Sequence, residues 1–146
     1  PVSVSAFSLP TGSQDPIGEN NIAAAFRFAD GSVGNLTYCT VGSKTSGGER
    51  VEAFAQGLGV SSENFKKLSI QTGRETRSSK IWGEKGYAAQ LENFFKSVRD
   101  GSPPAVSVVD GARATIACLA MLASARDLTM LPIDLESALH DGDASR

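Results

Sequence analysis

Nucleophilic hydrolysis needs a base within reach of its nucleophile, and this sequence offers one histidine, His140, in the acidic tail "SALHDGDASR". No partner pattern surrounds it, so it reads as solvated. Cys39 and Cys118 stand far apart without a CxxC or Cys/His cluster, which removes the usual metal and redox spacings. They read as buried apolar fillers, with a disulfide or a reactive thiol as the alternatives. Two-carboxylate chemistry fares no better: Glu49 and Glu52 straddle a loop-to-strand junction, and Asp141 and Asp143 fall in the tail. The basic residues Lys66, Lys67, Arg74, Arg77, Lys80 and Lys85 are diluted by Glu63, Glu75 and Glu84, the mark of a solvated hairpin rather than a phosphate or nucleic-acid patch. Trp82 has no aromatic company for base stacking and suits a strand-to-helix junction.

The bulk properties agree with that silence. The chain has 146 residues, 40% hydrophobic and 21% charged, enough for a real core, and its net charge of −2 sets up no field for nucleic acid or an anionic membrane. No run approaches the roughly 18 apolar residues that span a bilayer. The start, "PVSVSAFSLPTG", lacks a charged, cleavable leader, so a cytoplasmic protein is the expectation.

The elements that could position any site are legible from periodicity. "VSVSAFSL" alternates as a strand, and the Pro, Gly, Asp and Asn of "PTGSQDPIGEN" make a loop. A hairpin follows around Asp30-Gly31, from about Asn21 to Ala29 and from Ser32 to about Val41. After the loop "VGSKTSGGE" comes the strand "RVEAFAQG", then two more polar strands in "VSSENFKKLSIQTG" and "RETRSSKIWG". The period then changes to 3.6. Ala88, Leu91, Phe94, Phe95 and Val98 form one stripe on a helix near Tyr87 to Arg99. Ser107 and Asp110 form a capping-box start for a second helix, "VVDGARATIACLAMLASARD", apolar nearly all round and so expected to be the more buried. "LTMLPIDL" can add a short strand, and residues 137–146 read as a flexible tail.

Strands first and helices last predict one α+β domain over residues 1–146: a largely antiparallel β-sheet with two helices packed on one face and the other face open for association. A two-residue Asp30-Gly31 loop pairs residues whose numbers sum to 61, and paired residues share a face. One face then carries Ile22, Ala24, Phe26, Phe28, Val33 and Cys39, for the helices. The other carries Ala23, Ala25, Arg27, Leu36 and Tyr38, flat and mostly apolar, which reads as a contact surface for a second subunit or another domain. A G1-bulge turn would shift this register by one.

In order and spacing, "NNIAAAFRFADGSVGNLTYCTVG", "ERVEAFAQGLGV", "NFKKLSI" and "GYAAQLENFFKSVRDGSPPAVSVVDGARATIACLAMLASARD" together resemble the C-terminal domain of the Gfo/Idh/MocA oxidoreductases, over about residues 20 to 130. Ala55 departs from the family's usual glycine. The resemblance implies a parent enzyme that binds NAD or NADP in an N-terminal Rossmann domain and moves hydride to or from a sugar, cyclitol or related substrate. This chain carries no GxGxxG after a strand, and Lys85 in "GEKGY" is not in the family's Glu-Lys-Pro motif, so no cofactor is expected on the chain alone and no catalytic residue is assigned within it.

Under that resemblance, Tyr38, Lys44 and Arg50, in or beside the loop after the hairpin, and Tyr87, at the helix start where relatives often have His, are candidates for lining a substrate cleft. Plainer roles compete with each: interface packing for Tyr38, solvated loop charges for Lys44 and Arg50, helix-start packing for Tyr87. The expected partners are a homo-oligomer through the open sheet face, the parent's Rossmann domain and a small-molecule substrate, without nucleic acid or membrane. The alternative is a stand-alone small-ligand or protein-binding module of the same fold.

Overall fold

The computed structural model of the chain describes residues 1–9, 20–43, 45, 48–80 and 85–134. Along them run β1 (Ser3–Ser8), β2 (Asn21–Arg27), β3 (Val33–Cys39), β4 (Arg50–Ala55), β5 (Leu58–Glu63), β6 (Lys67–Thr72) and β7 (Glu75–Lys80). Helices α1 (Tyr87–Asp100) and α2 (Val108–Asp127) and a short strand β8 (Leu131–Pro132) complete them. The protein is α+β with antiparallel pairing throughout, as the strand-then-helix order predicts. The strands form two four-stranded sheets, ordered β3-β2-β1-β8 and β4-β5-β6-β7. Each belongs to a compact unit, one from Pro1–Gly42 with Val106–Arg146, the other from Ser43–Ala105.

In the first unit the even-numbered residues of β1 and β2 face α2. Val4, Ala6, Ile22 and Ala24 are buried with Met121 and Ala125 of α2 and with Ile133, and Phe26, Ile116, Ala117, Ala120 and Leu122 pack around them. Full burial of a side chain such as Val4, 1% exposed, is worth roughly 1.5–3 kcal/mol. The capping box forms as read: Ser107 Oγ accepts from the Asp110 N–H, and the Asp110 carboxylate accepts from the Ser107 N–H. By length and composition α2 could cross a membrane, yet Met121, Ser124 and Ala125 are buried in this unit. It is not covered all round, however: Val108, Leu119 and Cys118 are exposed.

Ser124 is the polar exception in this core, with 0% exposure. Strand β8 pairs only Ser3 and Val4, so β1 beyond them has no strand on that side. The Ala6 N–H points there, and Ser124 Oγ accepts it at 3.1 Å while donating to the Thr129 carbonyl at 2.5 Å. The serine completes an edge that the short strand leaves open, since a buried amide without an acceptor costs about 1–3 kcal/mol.

The hairpin register differs from the expected one. Arg27 pairs Val33 and Asn21 pairs Cys39, so paired numbers sum to 60. The loop is Ala29-Asp30-Gly31: the Gly31 N–H donates to the Phe28 carbonyl at 3.0 Å, the Phe28 N–H to the Ser32 carbonyl at 2.9 Å, and Gly31 has φ 86°. This is the G1-bulge geometry, held by Asp30 Oδ1 accepting from the Ser32 N–H and hydroxyl. The one-residue slip corrects the faces. Leu36 and Tyr38 share the face of Ile22 and Ala24 but lie on the edge strand, where they stay 41% and 52% exposed. Ala23, Ala25 and Arg27 keep the open face, joined by Phe7, Val33 and Cys39. The two cysteines are free and exposed, against the expectation of buried fillers. The slip moves Cys39 off the core face.

The second unit is a meander of hairpins. Gln56 and Gly57, both at positive φ, form a two-residue turn between β4 and β5, and Gly73 at φ 54° opens the one between β6 and β7. One face carries Val51, Ala53, Leu58, Val60, Leu68 and Ile70; the other carries Arg50, Glu52, Phe54, Gly59, Ser69, Gln71 and Lys80. In α1 the apolar stripe Leu91, Phe94, Phe95 and Val98 is exposed, and Ser97 is its buried residue.

Candidate functional site

Of the four residues expected to line a cleft, Lys44 lies outside the described residues, as do His140 and Trp82. Tyr38 belongs to the first unit, on edge strand β3, while Arg50 and Tyr87 belong to the second. Arg50 opens β4 and forms an ion pair with Glu52 at 2.8 Å. That hydrogen bond raises the guanidinium's pKa above its usual value. Tyr87 is the first residue of α1, after Gly86, whose φ of 79° fills the cap position without a side-chain acceptor.

Between Arg50 and Tyr87 the fold places a cluster that the sequence did not single out. Lys85 forms an ion pair with Glu49, and its ammonium sits 5.8 Å from the centroid of the Phe65 ring. The Asn64 N–H donates to the Glu49 carbonyl at 2.6 Å, and Asn64 and Phe65 both turn through positive φ. A Cβ on Gly48 would meet Asn64 Oδ1 at 2.1 Å, so any larger residue there would push the Asn64 side chain aside. This knot ties the lead-in to β4, the β5–β6 turn and the lead-in to α1, and so fixes the residues next to Arg50 and Tyr87. Its only signal in the sequence is the turn chemistry of "GGE" and "EN".

Chemically the cluster holds three segments together rather than reacts. The Glu49 carboxylate raises the pKa of Lys85, so the amine stays protonated and cannot serve as a base near neutrality. Glu49 and Glu52, weighed above as a carboxylate pair, are each spent on a cation. Among the described residues no group of His, Cys, Asp and Glu could hold a metal ion. A dinucleotide's pyrophosphate needs a strand, a glycine-rich turn and a helix N-terminus in succession. Here each of β1 to β7 pairs antiparallel, and α1 and α2 are capped at Gly86 and at the Ser107–Asp110 box, so the described residues do not fit that group.

No family model and no curated protein sequence matches the chain. Solved structures do. A levoglucosan dehydrogenase in complex with NADH and levoglucosan superimposes with TM-score 0.74 at 15% identity, over 90% of this chain and 44% of that one. The UDP-N-acetylglucosamine 3-dehydrogenase of Acidithiobacillus ferrooxidans gives 0.71 at 21% identity, over 86% and 40%. The aldose-aldose oxidoreductase of Caulobacter crescentus, complexed with glycerol, gives 0.72 at 18%, over 90% and 41%. The chain thus spans less than half the length of each. Its fold is that of the C-terminal domain of Gfo/Idh/MocA-type dehydrogenases.

Proposed function

We propose that the chain serves as the substrate-binding and oligomerisation domain of an NAD(P)-dependent oxidoreductase acting on a sugar, cyclitol or related hydroxyl or carbonyl compound. The observation that carries this is the likeness, across 90% and 86% of the chain, to enzymes named as dehydrogenases of levoglucosan and of a nucleotide sugar. Hydride chemistry would reside in a separate nucleotide-binding domain, because the present residues do not fit a dinucleotide. Arg50 and Tyr87, both of the second unit, would supply a cationic and a hydroxyl donor to the substrate.

Self-association would use the open face of the first sheet. Phe7, Ala23 and Thr37 form one row across the open face of the first sheet, Ser5, Ala25 and Asn35 the next, and Ser3, Arg27 and Val33 the third. Phe7 and Val33 are exposed beside small alanines and small polar side chains, a flat patch of mixed polarity with one charge. Light scattering should show dimers or larger species at high concentration and a monomer for Phe7→Asp; a wild-type monomer removes the oligomer. For the enzyme, the genomic reading frame upstream of the Pro1 codon should encode a strand, a GxGxxG turn and a helix. Its full product should reduce NAD or NADP with a sugar or cyclitol, and a frame without that fingerprint removes the assignment.

A further inference from the structure

The β4–β5 and β6–β7 turns flank a shallow, open cleft of about 460 Å³, lined by Phe54, Gln56, Gly57, Gly59, Gln71 and Gly73 among others. Register explains its composition. Phe54 pairs Gly59 and Gly59 pairs Gln71, so an aromatic ring, a bare backbone and an amide stand in one row on one face. A Cβ on Gly59 would lie 3.1 Å from Gln71 Oε1 and 3.5 Å from the Phe54 ring. Both side chains lean over the glycine, which fixes the ring beside the amide. Phe54 is nevertheless 76% exposed, and the Gln71 side-chain amide makes no hydrogen bond among the described residues.

We infer that this cleft is a binding site for a neutral saccharide ring. No lining residue is charged, which disfavours phosphate, carboxylate or amine ligands. The exposed ring offers an apolar platform to the C–H face of a pyranose. The Gln71 amide, both donor and acceptor, meets the adjacent hydroxyls, as do the peptide groups of the glycine turns, which no side chain shields. The three groups lie within one meander, so the site exists in the second unit by itself and does not rest on the oxidoreductase reading. The same chemistry recognises a free monosaccharide or one unit of a glycan.

The test is titration of the full ¹⁵N-labelled chain with methyl β-glucoside, a cello-oligosaccharide, glucuronate and benzyl alcohol, followed by amide shifts. Neutral sugars should perturb the amides of residues 54–59 and 71–73 with millimolar affinity, the glucoside alone if the ligand is a free sugar, and the oligosaccharide more tightly if it is a glycan. Phe54→Ala should weaken binding about tenfold, with shifts elsewhere unchanged, and Phe54→Trp should retain it. Equal binding of glucuronate, binding of benzyl alcohol alone, shifts confined to other residues, or none at all would overturn the assignment.

Discussion

The two sheets are alike in strand number and pairing but not in how they are covered. The first has α2 laid on it and buries Val4, Ala6, Ile22 and Ala24. Among the described residues of the second, only Gly59, Ser69 and Ser97 are buried, and Val51, Val60 and Ile70 are exposed. The second meander is specified locally, by short turns and ladder pairs, whereas the first is specified by contacts between distant segments. Similar secondary structure therefore rests on unlike energetics: side-chain burial in one unit, backbone pairing and turn geometry in the other.

The largest test compares equivalent truncations. Val4→Ala should lower stability by about 2–3 kcal/mol, since it opens a cavity in a closed core, while Val60→Ala should cost under about 0.5 kcal/mol at an exposed site. Chemical denaturation monitored separately in each unit reads both, and equal costs would break the contrast. Ser124→Ala should cost about 1–3 kcal/mol by stranding the Ala6 amide, and hydrogen exchange at Ala6 should rise in step. A strand edge that stays protected in the variant would show that the serine is dispensable.

A smaller effect concerns the cap of α2. Ser107→Ala should cost about 1 kcal/mol in the first unit and nothing in the second. Hydrogen bonds from Ser107 hold the Asp110 carboxyl below its usual value of 3.8. Its stabilisation is therefore present above the unfolded-state pKa and is lost as pH falls through the lower folded-state value. An acid titration should show that loss in the wild type and not in Asp110→Asn, with the second unit unaffected.

Most strand and helix positions were legible because period and turn residues are local properties: β1 to β4, β7, both helices and the Ser107–Asp110 box lie where the sequence puts them, whereas "VSSENFKKLSIQTG", read as one polar strand, is the end of β5 and all of β6 parted by a turn at Asn64 and Phe65. The face of the hairpin was not, because Asp-Gly suits both a two-residue turn and a bulged three-residue one, and only the Asp30–Ser32 hydrogen bonds decide between them. Helix α2 is apolar on most of its surface, so its composition could not tell which side meets the sheet. Ser124 was invisible for the converse reason: a serine among alanines looks solvent-facing until β8 proves too short to satisfy Ala6. Arg50 and Tyr87 were picked out, but the Glu49–Lys85 knot that anchors their neighbours joins residues 36 apart in sequence, beyond the reach of any local pattern.

The pairing of β8 with β1 joins residues at opposite ends of the described chain, with the second unit spliced between them. On a ribosome the meander can fold as soon as it emerges, because its partners are sequence neighbours. The first sheet must wait, its apolar face open to chaperones, until α2 and Leu131 have left the exit tunnel.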